Sequence, residues 1–171
     1  FERGDVEDVC VVEGEKKAVA LCKVGIPCVA IGGVWNTRQS GTKALHPDLA
    51  NFPAKSFRLL FDSDIATNEH VQQAEIRLAS HLGALGKQVY SVRLPLSDEI
   101  DPLGRPLKVG ADDYLVARGA EALVDLILST PALGECEAMR PDVDALSIAD
   151  LLKHDVLPVE ELIPVWIEKG I

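Results

Sequence analysis

Residues 8–31 change hydrophobic period twice, and few folds accept that order of elements. Asp8-Val9-Cys10-Val11-Val12 is a short β-rich run that ends at Glu13-Gly14. From Glu15 the apolar residues Ala18, Leu21 and Cys22 fall at i, i+3 and i+4, the spacing of one helical face. Gly25 and Pro27 stop that helix, and Cys28-Val29-Ala30-Ile31 is a second apolar run closed by Gly32-Gly33. A strand, a helix and a strand in succession require a parallel crossover. The pattern recurs downstream. Arg58-Leu59-Leu60-Phe61 reads as a third strand, and Val71, Ala74, Leu78, Leu82 and Leu85 form the stripe of a long helix closed by Gly86. Gln88 to Leu94 reads as a fourth strand. The expectation is an α/β fold: a Rossmann-like, mainly parallel sheet of about four strands with helices on both faces.

Composition agrees with this reading. Hydrophobic residues make up 47% of the chain and aromatics only 5%, so the core material is Val, Leu, Ile and Ala, which suits a sheet covered by helices. No apolar run approaches the length of a membrane span. The first residues are polar and acidic and lack an initiator Met, so the chain is expected to start in mid-protein, with no secretory signal visible. The cysteines at 10, 22, 28 and 136 make no Cys-x-x-Cys pair. Neither they nor His46, His70, His81 and His154 have zinc-ligand spacing. Cys10, Cys22 and Cys28 lie in apolar stretches and read as small core residues in a reduced, cytoplasmic compartment.

Two long irregular stretches, 32–57 and 95–110, interrupt the pattern, and loops of that length in a compact domain are more often functional than idle. A helix opens at Gly110-Ala111-Asp112-Asp113-Tyr114-Leu115 and another spans Ala120 to Leu128. From Pro131 the character changes, with Pro141, Pro158 and Pro164 breaking the periodicity. The expected organisation is a domain over 1–130 and a linker with a peripheral C-terminal arm over 131–171.

The formal charge is −10, with 27 acids against 17 Lys and Arg, which argues against a broad phosphate-binding surface acting alone. The acids are therefore either a solvated surface or, in part, grouped as ligands. Position favours grouping for three of them. In open parallel sheets, ligands bind at the carboxyl ends of the strands. Glu13 ends the first strand, and Asp62 and Asp64 follow the third. In extended chain Asp62 and Asp64 point the same way, and Gly14 removes a side chain where the chain turns into its helix. Clustered carboxylates repel unless a cation compensates, and Mg²⁺ or Mn²⁺ suits hard oxygen donors. The plainer alternative is that Asp62-Ser63-Asp64 is a turn, with Asp64, Thr67 and Asn68 capping the long helix.

At these residues the sequence resembles the toprim superfamily, shared by bacterial replicative primases, topoisomerases and some nucleases. Its pattern is Glu-Gly after the first strand and Asp-x-Asp after a later one, here Val11-Val12-Glu13-Gly14 and Leu60-Phe61-Asp62-Ser63-Asp64. The sequence is closer still to a toprim-like family in phage and plasmid primase–helicase proteins. The segments that carry this likeness are Glu13-Gly14-Glu15-Lys16-Lys17-Ala18, Gly33-Val34-Trp35-Asn36, Leu45-His46-Pro47-Asp48-Leu49, Phe61-Asp62-Ser63-Asp64 and Lys108-Val109-Gly110-Ala111-Asp112-Asp113-Tyr114-Leu115. They span roughly residues 6 to 128.

The resemblance implies a toprim fold and nucleotidyl transfer in primer synthesis, using Mg²⁺ or Mn²⁺, a single-stranded DNA template and nucleotides. It makes Glu13 the acid/base or metal-organising carboxylate and Asp62 and Asp64 metal ligands, with Asp112 or Asp113 adding a ligand. One position departs. Replicative primases commonly carry an acid four residues after the first Glu, where this chain has Lys17. A cation there could meet phosphate at a helix start. A toprim nuclease using the same acids, and a catalytically inactive nucleic-acid-binding or connector module, are the alternatives. A haloacid-dehalogenase-like phosphatase fits poorly, because its Asp-x-Asp lies on the first strand with Thr two residues later, where this chain has Ala66.

Lys16, Lys17, Arg38 and Lys108 are the candidate phosphate-binding residues. Lys43, Arg58 and Arg105 are also assigned to the rim, although each such charge is, taken singly, more commonly a solvated one. Trp35 could stack a base or pack over the sheet edge. In the tail, Leu146 to Leu152 and Leu162 to Ile171 look like the lead-in to a RecA-like helicase domain, or equally the docking tail of an ordinary domain. No membrane partner is expected.

Overall fold

The elements run β1 (Asp8–Glu13), α1 (Glu15–Lys23), β2 (Cys28–Ile31), α2 (Pro47–Ala50) and β3 (Ser56–Leu60). A single 3-10 turn (Ser63–Ala66), α3 (Glu69–Ala84), β4 (Gln88–Val92) and α4 (Ala111–Ser129) complete them. They come from a computed structural model that describes residues 6–134 apart from Lys43.

The sheet has four strands in the order β2-β1-β3-β4, and every pairing is parallel. The expected α/β architecture is therefore what the chain adopts. From β1 the chain crosses one way to β2, and from β3 it crosses the other way to β4. With both crossovers right-handed, α1 and α3 must lie on opposite faces, and the packing bears this out. Val9, Val11, Phe57 and Leu59 meet Leu78 and Leu82 of α3 on one face. Cys10, Val12, Leu60 and Val92 meet Leu21 of α1 and Leu123 and Ile127 of α4 on the other. Val9, Cys10, Val11 and Val12 are all buried because helices cover both faces, so β1 reads as a continuous apolar run rather than an alternating one. Truncating Leu78, fully buried at the centre of the first face, should cost about 2–5 kcal/mol.

Several boundaries differ from those expected. The third strand begins at Ser56, and the short helix α2 lies inside the stretch expected to be irregular. The His46 ring nitrogen accepts the Asp48 amide at 3.3 Å, Pro47 opens the helix, and Leu49 is buried beneath it. Leu85 is not on the buried stripe of α3; it is the C-terminal cap and about half exposed. The two helices expected after Gly110 form one element whose geometry breaks at Gly119, with φ 85° and ψ 168°. Cys10 is a core residue, and burial pushes its thiol up to about 12. Cys28 is half-buried and Cys22 exposed, because Leu21 takes the inward position of α1.

The outer edge of β4 is covered. Ala132 is buried in an antiparallel bridge to Tyr90, and the Leu133 amide donates to the Val89 carbonyl at 2.7 Å. These residues begin the segment expected to form an arm; residues 135–171 lie outside the described part of the chain. Among the described residues no helix is long and apolar enough to cross a membrane.

Candidate functional site at the carboxyl rim of the sheet

The strand order reverses direction between β1 and β3, and in a parallel sheet this switch point is where the crossover loops part and leave a crevice. Glu13 is the last residue of β1. Val11 is level with Leu59 of β3, so Glu13 stands level with Phe61, one residue before Asp62. The two candidate carboxylates thus come from neighbouring strands at the same end of the sheet. Gly14, which turns the chain out of β1, has φ 94° with nothing near its missing side chain. It is glycine because of the backbone, not for want of space.

Asp62 is buried, 3% exposed, and its two oxygens differ. Oδ2 accepts the Lys17 ammonium at 2.7 Å and lies 2.9 Å from that of Lys108. Oδ1 is buried and has no hydrogen-bond partner. Lys108 also reaches Asp64 Oδ2 at 3.5 Å. Burial works against the charge on Lys108, but the Asp62 hydrogen bond and the charges of Asp62, Asp64 and Glu13 outweigh it and raise its pKa. Lys108 therefore contacts Asp62 and Asp64, and Glu13 stands near enough to favour its charge. Asp64 arrives there by a route the sequence did not suggest. Ser63–Ala66 is a 3-10 turn, so the extended geometry expected to align Asp62 and Asp64 is absent, and the ammonium links them instead.

Ser63 holds this arrangement in place. Its amide donates to the Val109 carbonyl at 2.9 Å, and its hydroxyl accepts the Val109 amide at 2.8 Å. The pair of bonds staples the loop carrying Asp62 and Asp64 to the segment carrying Lys108. Sequence reasoning passed over Ser63, although a hydroxyl between two aspartates was a visible signal. It passed over Gly110 as well. A Cβ there would lie 2.6 Å from both Lys17 Cε and Asp112 Oδ1, while φ −90° and ψ 168° suit any residue. Gly110 is glycine for space: the Lys17 side chain passes over it to reach Asp62.

The acids at the start of α4 divide. Asp113 Oδ2 accepts the Gly110 amide at 2.9 Å and caps the helix. Asp112 keeps a buried Oδ1 without a partner. Asp112 Oδ1 and Lys17 Cε both lie 2.6 Å from one point, so Asp112 borders the lysine-filled crevice.

The basic candidates separate too. Lys17 and Lys108 stand in the site, and Lys16 is exposed on α1 beside it. Arg38 packs on Trp35, 5.8 Å from the ring centroid, and Arg77 of α3 lies 5.0 Å from the same ring. Arg58 is not at the rim. It sits mid-strand facing α4, where it donates to Asp8 at 2.6 Å and the Ile127 carbonyl at 2.7 Å and stacks 4.1 Å over Tyr90. Arg105 is tied to Asp101 in a turn, and Lys43 lies outside the described residues. A groove of about 760 Å³ runs between β2 and the 46–53 segment and includes none of the candidate residues.

A family model described as "Domain of unknown function (DUF3854)" matches residues 6–122. The chain belongs to that family. The match begins just before β1 and ends inside α4, so it takes in every rim residue from Glu13 to Asp113. No curated protein matches the chain. Among solved structures, the fold is similar to the crystal structure of the Aquifex aeolicus primase (zinc-binding and RNA polymerase domains). The TM-score is 0.52 at 24% identity, and the alignment covers 76% of this chain and 27% of that one. The likeness is one of fold, and the chain spans only that 27% of the primase chain's length.

The donor set can be tested against a divalent cation. Among the described residues, no three His, Cys, Asp or Glu side chains stand together as a ready metal site. Lys17 and Lys108 fill the space between the carboxylates instead. Yet Mg²⁺ is commonly held by one or two carboxylates with waters completing its shell. The unpartnered Asp62 Oδ1 is a hard donor in a buried position that would otherwise cost about 1–3 kcal/mol. Because that oxygen is closed to water, an ion with its water shell would reach Asp62 only through Oδ2, after the half-exposed Lys108 had moved aside. The residues do not fit a cage of three protein ligands.

Proposed function

We propose that this rim performs metal-dependent phosphodiester chemistry on nucleic acid, as nucleotidyl transfer in primer synthesis, and that the domain is toprim-like and belongs to a primase–helicase type of protein. The observation that carries the reading is Asp62. It is almost wholly buried at the switch point of a parallel sheet, with one oxygen on two lysines and the other on nothing. Asp8, whose other oxygen holds Arg58, also keeps a bare buried oxygen, so what singles out Asp62 is its near-complete burial together with its place at the switch point.

In this reading Asp62 and Asp64 would hold Mg²⁺ or Mn²⁺ with waters completing its shell, Asp112 would meet it only through water, and Glu13 organises the site or moves a proton. The ion, when bound, stabilises charge developing on a phosphoryl oxygen. Lys108 is placed to pass from carboxylate to substrate phosphate: its side chain is about half exposed and its contact with Asp64 is already long at 3.5 Å. Lys16 lies on the outer approach. The partners are single-stranded DNA template and nucleotides, and the setting is cytoplasmic. Residues 131–171 connect towards a RecA-like helicase domain.

One observation favours a second reading. Asp62 Oδ2 is already neutralised by two ammonium groups, as it would be in a domain that had lost chemistry and kept a binding or connecting role. The test is synthesis and cleavage on single-stranded DNA by the intact parent protein, with Mg²⁺ and with Mn²⁺. Asp62→Asn keeps the side-chain shape and removes the charge. It should lower the rate by at least about a hundredfold, since electrostatic groups at such sites are worth that much. Cleavage without synthesis would assign the nuclease form. Wild type and variant behaving alike would sink the catalytic reading and leave the connector.

A further inference from the structure

We infer that Trp35, Arg38 and Arg77 form a docking surface for single-stranded nucleic acid, the ring stacking a base and the two guanidiniums meeting phosphates. The nucleic-acid partner comes from the proposed function, and in that respect alone the inference rests on it; neither the metal nor the chemistry of the acids is needed. The chain carries 27 acids against 17 Lys and Arg, yet residues 16–47 contain no Asp or Glu and five Lys and Arg. This acid-free stretch begins where α1 leaves β1 and includes the whole loop that leaves β2 at Ile31, which is level with Glu13. An excess of acid repels a phosphate backbone, so a stretch without any is where the surface can receive one.

The loop presents its tryptophan from a fixed base. The Asn36 amide donates to the Gly33 carbonyl at 2.9 Å and its side chain to the Gly32 carbonyl at 2.8 Å, closing a turn around Trp35. Val34 before the ring packs against the core, and Thr37 after it is buried. The Thr37 carbonyl accepts the His46 amide at 2.8 Å, and Arg38 bridges to Leu45, so the loop is tied back on itself. Trp35 is left 38% exposed among inward-turned neighbours. A large ring held outward by an ordered turn loses little freedom on binding and offers a π-face on which any base can stack.

Two arginines converge on this ring from different elements. Arg38 comes from the loop and Arg77 from the middle of α3, with their guanidinium carbons 5.8 Å and 5.0 Å from the ring centroid. Arg58, Arg93 and Arg105 are each paired with an acid, whereas neither Arg38 nor Arg77 makes an ion pair among the described residues. The neighbours of Arg77 one turn away are Gln73, Ala74, Ser80 and His81, none of them acidic. Cation–π contacts at exposed sites are weak, so the ring gathers the two charges and leaves them able to turn to phosphate, which a guanidinium meets through two parallel bonds. An acidic peptide would match the charge but gives the indole no base to stack on, and a duplex hides its bases. Unpaired nucleic acid satisfies ring and charges together.

The test measures binding of the full chain to oligothymidylate and to oligouridylate in metal-free buffer. In a Trp166→Phe background Trp35 is the sole tryptophan, and its fluorescence should be quenched as the strand binds. Trp35→Ala should weaken binding about tenfold. Arg38→Gln and Arg77→Gln should each flatten the slope of log affinity against log salt by about 0.7, one phosphate contact apiece. Lys55→Gln, just before β3 and so at the opposite end of the strands, should change neither quantity. Thermal melts check that each variant is folded, and Arg77→Gln, on the exposed face of α3, decides the matter should Trp35→Ala fail to fold. Tighter binding of either strand supports the inference and tells which sugar is preferred. Binding that leaves Trp35 fluorescence unchanged would overturn it, as would equal affinity for duplex DNA or poly-glutamate, or no binding at all. Asp62→Asn is judged by synthesis and cleavage rather than by binding, so failure of the rim's chemistry and failure of this surface are read separately.

Discussion

Glu75 and Asp62 are buried almost equally, at 4% and 3% exposed, and their surroundings treat them in opposite ways. Glu75 faces β4 from α3. One of its oxygens accepts the Ser91 hydroxyl at 2.6 Å and an Arg93 nitrogen at 2.7 Å, and the other takes the second guanidinium nitrogen at 2.6 Å. The pair is bidentate, planar and complete, as Arg–carboxylate geometry allows. Asp62 has two ammonium groups on one oxygen and none on the other. Glu75 holds helix to strand and is satisfied on both sides, whereas Asp62 is buried and left half-satisfied, a cost that the proposed use of the rim would account for.

The comparison predicts different responses to neutralisation. Glu75→Gln keeps the shape but replaces one acceptor oxygen with a donor that faces Arg93. Folding stability should fall by about 2–3 kcal/mol, since a partly buried charge loses its partner. Asp62→Asn should cost less, about 1 kcal/mol or under. Lys108 is exposed enough to reach water, and the amide oxygen still accepts from Lys17. Chemical denaturation of the two variants in metal-free buffer measures both. Equal losses would mean that Asp62 is as structural as Glu75.

Much of this contrast could not be seen in the sequence, and the reason lies in what periodicity encodes. The strand and helix patterns over 8–31 and 56–94 follow from local spacing, and right-handed crossovers then assign each helix its face. That Glu13 and Asp62 share a rim depends also on β1 and β3 being neighbours, which the strand order shows and the spacing does not. Which cation meets which carboxylate depends on side chains 45 residues apart, such as Lys17 and Asp62, and no local pattern records the pairing. Arg58 was misplaced for the same reason. A lone charge in an apolar strand reads as a strand start, whereas here it is buried against Asp8 and the end of α4. Leu85 was assigned to the core because periodicity continues through a helix cap that the burial pattern does not.

Gly110 sharpens the comparison at intermediate cost. Its dihedrals suit alanine, so Gly110→Ala acts only through the added methyl, which would sit 2.6 Å from Lys17 Cε and Asp112 Oδ1. Both contacts are with movable side chains, so the lysine should shift and the Lys17–Asp62 contact should be lost, for about 1 kcal/mol. A double-mutant cycle with Lys17→Met tests the route. If the glycine serves the lysine, the two changes together should cost no more than the larger one alone. Full additivity would mean that Gly110 is needed for something other than Lys17.

The smallest effect separates the two carboxylates by the chemistry of their partners. A guanidinium keeps its proton at any pH a folded protein survives, whereas an ammonium does not. The Lys108 pKa is raised above its ordinary 10.5 in the folded chain by Asp62, Asp64 and Glu13 acting against burial. The unfolded chain therefore releases this proton at lower pH than the folded one. Whatever Lys108 contributes is fully present below 10.5 and is lost as pH rises through the folded value. With half the side chain in water that contribution should stay under about 1 kcal/mol. The stability difference between wild type and Lys108→Met should accordingly shrink as pH climbs past 10.5, while that between wild type and Glu75→Gln stays level. Denaturation of the three proteins at pH 8 and at about pH 11 measures both differences under the same conditions. A Glu75→Gln difference that collapsed alongside the Lys108→Met one would trace the loss to general alkaline expansion. The rim lysine would then have no separate claim on it.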